Sequence, residues 1–107
     1  MKKIEAIIKP AMLGTVLSAL RLVEGLPGIT ISEVKGFGKT KKSSDEILEH
    51  DHRIKLEIIV PDELAEIAIK VIEENARTGG KGDGKLFLSE VLDVVRIRTG
   101  ERGPSAI

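Results

Sequence analysis

Residues 53–60, RIKLEIIV, alternate strictly: Ile54, Leu56, Ile58 and Val60 fall on one side, Arg53, Lys55 and Glu57 on the other. That is the period of a strand with one buried face. Across Pro61 the period changes. Leu64, Ile67, Ala68, Val71, Ile72 and Ala76 recur at helical spacing until Thr78-Gly79 stops the pattern, with Asp62 as the candidate N-cap. An apolar strand face followed at once by an apolar helix stripe must bury both in one core, so the unit is a strand with a helix folded back on it.

The first half of the chain repeats the arrangement. In Lys2–Ile8, Ile4, Ala6 and Ile8 alternate with Lys3, Glu5 and Ile7 before Pro10. From Ala11 to Glu24, Leu13, Val16, Leu17 and Leu20 form a helical stripe that GLPG terminates. Ile29–Phe37 is rich in β-branched residues and reads as a strand, followed by a long polar connection over Gly36–His52. Leu86–Thr99 is the last predicted strand, before the tail GERGPSAI. The order is strand, helix, strand, strand, helix, strand: an α+β, ferredoxin-like βαββαβ plan with both helices on one face of an antiparallel sheet. Ile7 and Ile59 are left on the opposite face, which predicts that this face is covered by another copy of the chain.

At 107 residues, 41% hydrophobic and 32% charged, the chain makes one globular domain over residues 1–107. Seventeen Lys and Arg balance seventeen Asp and Glu, and Phe37 and Phe87 are the only aromatic residues. A polyanion would find neither a net attractive field nor stacking surface, so nucleic acid is not an expected partner. The apolar runs are too short to span a membrane, and Glu5 and Lys9 interrupt any signal-peptide core, so a cytoplasmic protein is expected. Without cysteine there is no thiol chemistry.

Chemistry concentrates in three places. TGGKGDGKLF, Thr78–Phe87, contains G-x-x-x-x-G-K as Gly79–Lys85. A Walker loop runs from a strand into a helix and ends in Ser or Thr, whereas this one follows a helix, precedes a strand and carries Leu86 at the hydroxyl position. It can still present backbone N–H groups and Lys81 or Lys85 to an anion; a solvated surface turn reads equally well from the loop alone. A second pair, Gly36 and Gly38 in KGFGK, ends the second strand. In VVRIRTGER, Arg96 and Arg98 stand two apart on the last predicted strand, hence on one face, where they either converge on an anion or remain solvated.

With these residues in view, the chain resembles the PII signal-transduction proteins from end to end: MKKIEAIIKP, ITISEVKGFG, TGGKGDGKLF and VVRIRTGE occur in the family's order. The resemblance implies a ferredoxin-like subunit in a compact homotrimer that binds an adenine nucleotide (ATP, ADP or AMP, with magnesium as its counter-ion) between subunits. By position, Gly82, Asp83, Gly84 and Lys85 match the phosphate loop. Arg96 and Arg98 match a phosphate-contacting pair from the adjoining subunit, Thr30 and Ile59 match positions near adenine, and Ile7, Gly36 and Gly38 line the cleft. Residues 37–53 match the T-loop, through which the family controls a transporter or metabolic enzyme; Lys39, Thr40, Lys41, Lys42 and Arg53 lie in it, and residues 99–107 form the tail.

The departures lie in that loop. Thr40 stands where the family carries a glutamine, Arg53 replaces a lysine, and the loop is about six residues shorter, so 2-oxoglutarate sensing loses two of its groups. No tyrosine is present to be uridylylated. His50 and His52 share a face if extended, a spacing that suits a divalent metal or only a polar loop end. The readings carried forward are a non-enzymatic nucleotide-binding regulator, a metal- or small-anion-responsive trimer, and a slow nucleotide hydrolase whose one loop carboxylate is Asp83.

Overall fold

A computed structural model describes residues 1–36 and 51–107, with the backbone alone for Asp51. The strands are β1 (Lys2–Ile8), β2 (Thr30–Gly36), β3 (Asp51–Val60) and β4 (Lys85–Glu90), and the helices α1 (Leu13–Leu20) and α2 (Asp62–Ala76). All pairings are antiparallel in the order β2-β3-β1-β4. This is the expected ferredoxin-like βαββαβ arrangement, and its two central strands are those with the cleanest alternation.

The core follows from that alternation. Ile4, Ala6 and Ile8 of β1 and Ile54, Leu56, Ile58 and Val60 of β3 are buried against Val16 and Leu20 of α1 and Ala65, Ala68, Ile72 and Ala76 of α2. Each large aliphatic side chain so enclosed contributes about 1.5–3 kcal/mol relative to exposure. Three of the four buried positions on α2 are alanine, so the helix can lie close to the sheet. Its stripe is turned slightly from the expected one: Ala65 is buried, whereas Ile67 is 48% exposed.

Three boundaries differ from the sequence reading. α1 is shorter than Ala11–Glu24: Pro10–Met12 forms a 3₁₀ turn before it, and beyond Leu20 the amides of Leu22 and Val23 bond to Ala19 and Leu20, tightening the chain out of the α-helix. Asp62 is the first residue of α2 rather than its cap; Pro61 holds that place, and the Asp62 carboxylate lies 2.9 Å from the Met1 amine. β3 begins at Asp51, so His52 and Arg53 belong to the strand.

The largest difference is at the end of the chain. β4 stops at Glu90, and Val91–Thr99 leaves the sheet. The Asp93 carboxylate accepts the amides of Val94 (2.9 Å) and Gly103 (3.1 Å) and pairs with Arg102, while Val95 bridges to Arg102 and the Gly100 amide bonds to the Arg96 carbonyl at 2.8 Å. These local bonds close a small hairpin that propensity alone reads as strand. It leaves Leu92 and Ile97 almost fully exposed.

On the face away from the helices, Lys3 bonds Glu57 at 3.0 Å, with Glu5 and Lys55 at 3.6 and 3.7 Å from their partners in the same chain of charges. The Lys3 ammonium holds the Glu57 carboxyl below the ordinary carboxylate range, as the Met1 amine does for Asp62 and Arg102 for Asp93. Each group titrates lower in the folded chain than in the unfolded one, where the values are about 3.9–4.3. Their contribution is full above those values and is lost as pH falls through and below them. The unfolding midpoint, followed by circular dichroism, should be level from about pH 5 to 8 and fall steeply below about pH 4.

One glycine has no substitute. At Gly84, with φ of 101°, an added Cβ would sit 1.7 Å from the Ile7 carbonyl oxygen, a backbone atom that cannot move without disturbing the β1–β4 ladder. Gly84→Ala should therefore destabilise by at least about 3 kcal/mol, seen as a fall of ten degrees or more (on the order of 4–8 °C per kcal/mol) in thermal unfolding. An alanine variant within about 2 °C of the parent would show that the loop does not approach β1 so closely.

Candidate functional site

The exit of β1 is where the chemistry gathers. Ile7 pairs with Lys85 on one side and Lys55 on the other. One step further along, Lys9 and Arg53 emerge beside each other, because Ile8 pairs with Ile54. The glycine loop, joining the end of α2 to the start of β4, is folded over this corner. The helix-before-strand setting inferred from the sequence is thus the observed one.

Positive φ angles at Gly79, Gly82 and Gly84 (87°, 85° and 101°) give the loop a backbone that residues with a side chain rarely adopt. The carboxylate of Asp83 turns inward. It accepts the Thr78 hydroxyl, the Thr78 amide at 2.9 Å and the Gly79 amide at 3.0 Å, and Lys9 Nζ lies 3.2 Å from it. Those bonds, that of the Thr78 hydroxyl foremost, hold the Asp83 carboxyl far below the usual carboxylate range. Lys9 Nζ also donates to Thr78 Oγ1 at 3.1 Å. The Arg53 guanidinium reaches the same turn: a Cβ on Gly82 would meet its Nη2 at 2.8 Å, and Arg53 Nη1 donates to the His52 carbonyl at 2.9 Å.

Below the loop a cleft of about 220 Å³ is lined by Ile7, Ile8, Ile72, Asp83, Gly84 and Lys85, with Glu73 and Arg77 at its rim. Its floor is apolar and its mouth charged. Of the residues singled out in the sequence, the structure therefore brings together Ile7, Gly82, Asp83, Gly84, Lys85 and Arg53.

Thr30 and Ile59 lie elsewhere. They line a second groove, of about 340 Å³, with Lys3, Gly28, Glu57 and Ile107. Ile59 pairs with Lys3 and Lys85 with Ile7, four residues apart along β1, so the two clefts are separated by about 13 Å of strand. Gly36 is paired with Asp51 at the end of the β2–β3 ladder.

The common strand face expected of Arg96 and Arg98 is what the structure corrects. Arg96 and Arg98 do not share a strand face: Arg96 lies on one arm of the terminal hairpin, with its guanidinium 3.4 Å from Glu101 Oε1 and 3.2 Å from the Ile107 carbonyl, and Arg98 is in the turn. The local bonds of Asp93 and Gly100 remove the strand that would have aligned them. Gly38, Lys39, Thr40, Lys41, Lys42 and His50 fall outside the described residues. His52 is exposed and pairs in register with Lys35; among the described residues no group of three or more His, Asp or Glu could hold a metal ion.

Lys9 and Thr78 were missed by sequence reasoning. A threonine just before a glycine pair with an aspartate five residues on is a local capping signal. Lys9 could have been found only by asking what neutralises that aspartate.

The family model described as Nitrogen regulatory protein P-II matches residues 1–101. The Nitrogen regulatory protein P-II of Azospirillum brasilense is 47% identical over 113 aligned positions, covering 100% of both chains. Nitrogen regulatory protein P-II 1 of Escherichia coli (strain K12) is 43% identical with the same coverage. These alignments are longer than the 107 residues of the chain, so the relatives carry positions with no counterpart here. Among solved structures, that described as Arabidopsis thaliana PII bound to citrate superimposes with a TM-score of 0.84 at 43% identity, covering 99% of this chain and 91% of the other. Among the described residues no helix is long and apolar enough to cross a membrane. Family model, full-length relatives and fold agree, and the chain belongs to the nitrogen regulatory P-II family of signal-transduction proteins.

Proposed function

We propose that this chain is a non-enzymatic, cytoplasmic regulator that binds an adenine nucleotide between subunits of a homotrimer. In this reading residues 37–50 report the bound state to a transporter or metabolic enzyme. One observation carries the proposal: the residues matched to the nucleotide site occupy two clefts of the same chain, Ile7, Gly84 and Lys85 in one and Thr30 and Ile59 in the other. A ligand spanning base and phosphates is best accommodated where the loop cleft of one copy faces the groove of the next. Exposed Phe87, Leu92, Val95 and Ile97, on β4 and the terminal hairpin, supply apolar surface for such contacts.

In this arrangement the positive-φ turns at Gly82 and Gly84 let the loop present backbone N–H groups to phosphate, Lys85 and Arg53 add charge, and Arg96 and Arg98 approach from the neighbouring copy. Magnesium would sit on the phosphates as their counter-ion. A ligand moves the T-loop only by binding one loop state better than another, and Arg53, near the start of β3, holds its guanidinium beside Gly82, next to both the phosphate loop and the T-loop root. 2-Oxoglutarate is not included, because Arg53 and Thr40 replace the two family groups that would hold it. The hydrolase alternative would rest on Asp83, whose oxygens are taken by its own loop and whose carboxyl is held too acidic for an effective base at neutral pH. A metal response through His50 and His52 is a further alternative; His50 lies outside the described residues.

Isothermal calorimetry with AMP, ADP and ATP should give saturable binding at one site per subunit, weakened about tenfold or more by Lys85→Ala. Sedimentation equilibrium should give three chains per particle. No heat with any of the three nucleotides at millimolar concentration would remove the reading.

A further inference from the structure

A carboxylate inside a loop that is to receive phosphate is an electrostatic problem. At separations of 6–10 Å two like charges repel appreciably at the effective dielectric of a protein surface, and a polyanion multiplies the effect. Yet Asp83 stands between Gly82 and Gly84, within the segment matched to phosphate.

Two features of its surroundings answer the problem. Both carboxylate oxygens are engaged by the loop itself, one with the Thr78 hydroxyl and the other with the Thr78 and Gly79 amides, so the group ties residue 78 to residue 83 and sets the intervening glycines. Lys9 comes from a different element, the exit of β1. Its Nζ lies 3.2 Å from Asp83 Oδ1 and 3.1 Å from Thr78 Oγ1, and its Cε passes 3.8 Å from where a Gly82 side chain would begin. The pair is about one-quarter exposed on each side, open enough to feel an incoming ligand.

We infer that Thr78, Asp83 and Lys9 form a charge-compensated latch, in which Asp83 acts as a positioning residue that shapes the glycine loop and Lys9 cancels its charge so that a polyphosphate can enter. The inference rests on the nucleotide reading above for its ligand, whereas the latch itself is open to test without one. It differs from the residue-by-residue match, which would count Asp83 as a ligand contact, and it assigns Thr78 and Lys9 roles that no motif gave them.

The ligand-free arm is amide hydrogen exchange on the full chain. Thr78 and Gly79 should exchange about tenfold or more slowly in the parent and in Thr78→Ser than in Asp83→Ala. Should Asp83→Ala fail to fold, faster exchange in Thr78→Val but not in Thr78→Ser is the expected result. Equal exchange throughout overturns the latch. The second arm is calorimetry with AMP, ADP and ATP on Lys9→Met, Asp83→Asn and the double variant. Lys9→Met should lose about tenfold for ATP and less than about threefold for AMP, and adding Asp83→Asn should recover most of the loss. A double variant as weak as Lys9→Met overturns the compensation, because Lys9 would then be meeting the ligand itself. A parent chain that binds no nucleotide overturns the nucleotide reading and the compensation together, while slow Thr78 and Gly79 amides would still uphold the latch.

Discussion

Between Ile7 and Lys9 the central strand turns from a laddered element into the support of a site. The Ile7 carbonyl is approached so closely by Gly84 that no side chain fits there, Ile8 is sealed into the core, and Lys9 reaches the carboxylate that organises the glycine loop. Three successive residues thus answer to sheet pairing, core packing and loop electrostatics in turn. Ile7 is paired with Lys55 on one side and Lys85 on the other, and Ile8 with Ile54, so the strand that carries Lys9 is fixed up to its last residue. The loop is thereby tied to the sheet, and a backbone held in this way can present its donors to a ligand with little reorganisation.

Much of this was legible in the sequence, and the reasons separate cleanly. Alternation in β1 and β3 places seven side chains in the core because both strands are central, buried on one face and ionic on the other. The loop was recognisable as anion-friendly because its glycines and lysine are contiguous. What could not be read was set by contacts distant in sequence or by side chains competing with the backbone. Asp93 captures Val94 and Gly103 and bends a β-branched segment into a hairpin, undoing the shared face assigned to Arg96 and Arg98. Lys9 and Asp83 are paired by topology alone, and Ala65 replaces Ile67 in the core by a small rotation of α2.

The inward turn of Asp83 also bears on how a P-loop-like string should be interpreted. G-x-x-x-x-G-K describes a spacing of small residues and a cation; what those residues do depends on the flanking elements and on which polar groups are already engaged. Here the conformation is set by a carboxylate within the motif and a cation outside it, so the same letters yield a loop adjusted for charge balance rather than one built around a metal-bound hydroxyl.

The pairing of Gly36 with Asp51 has a consequence for how this family can vary. Gly36 and Asp51 are the two halves of one rung, the last of the β2–β3 ladder, so the sheet requires only that the two ends of the segment between them meet. Closure entropy grows with the logarithm of loop length, and removing about six residues changes it by only about 0.3 kcal/mol. The length of the segment is therefore nearly decoupled from folding. Selection can thus alter its length for a new interaction at little cost to the stability of the scaffold.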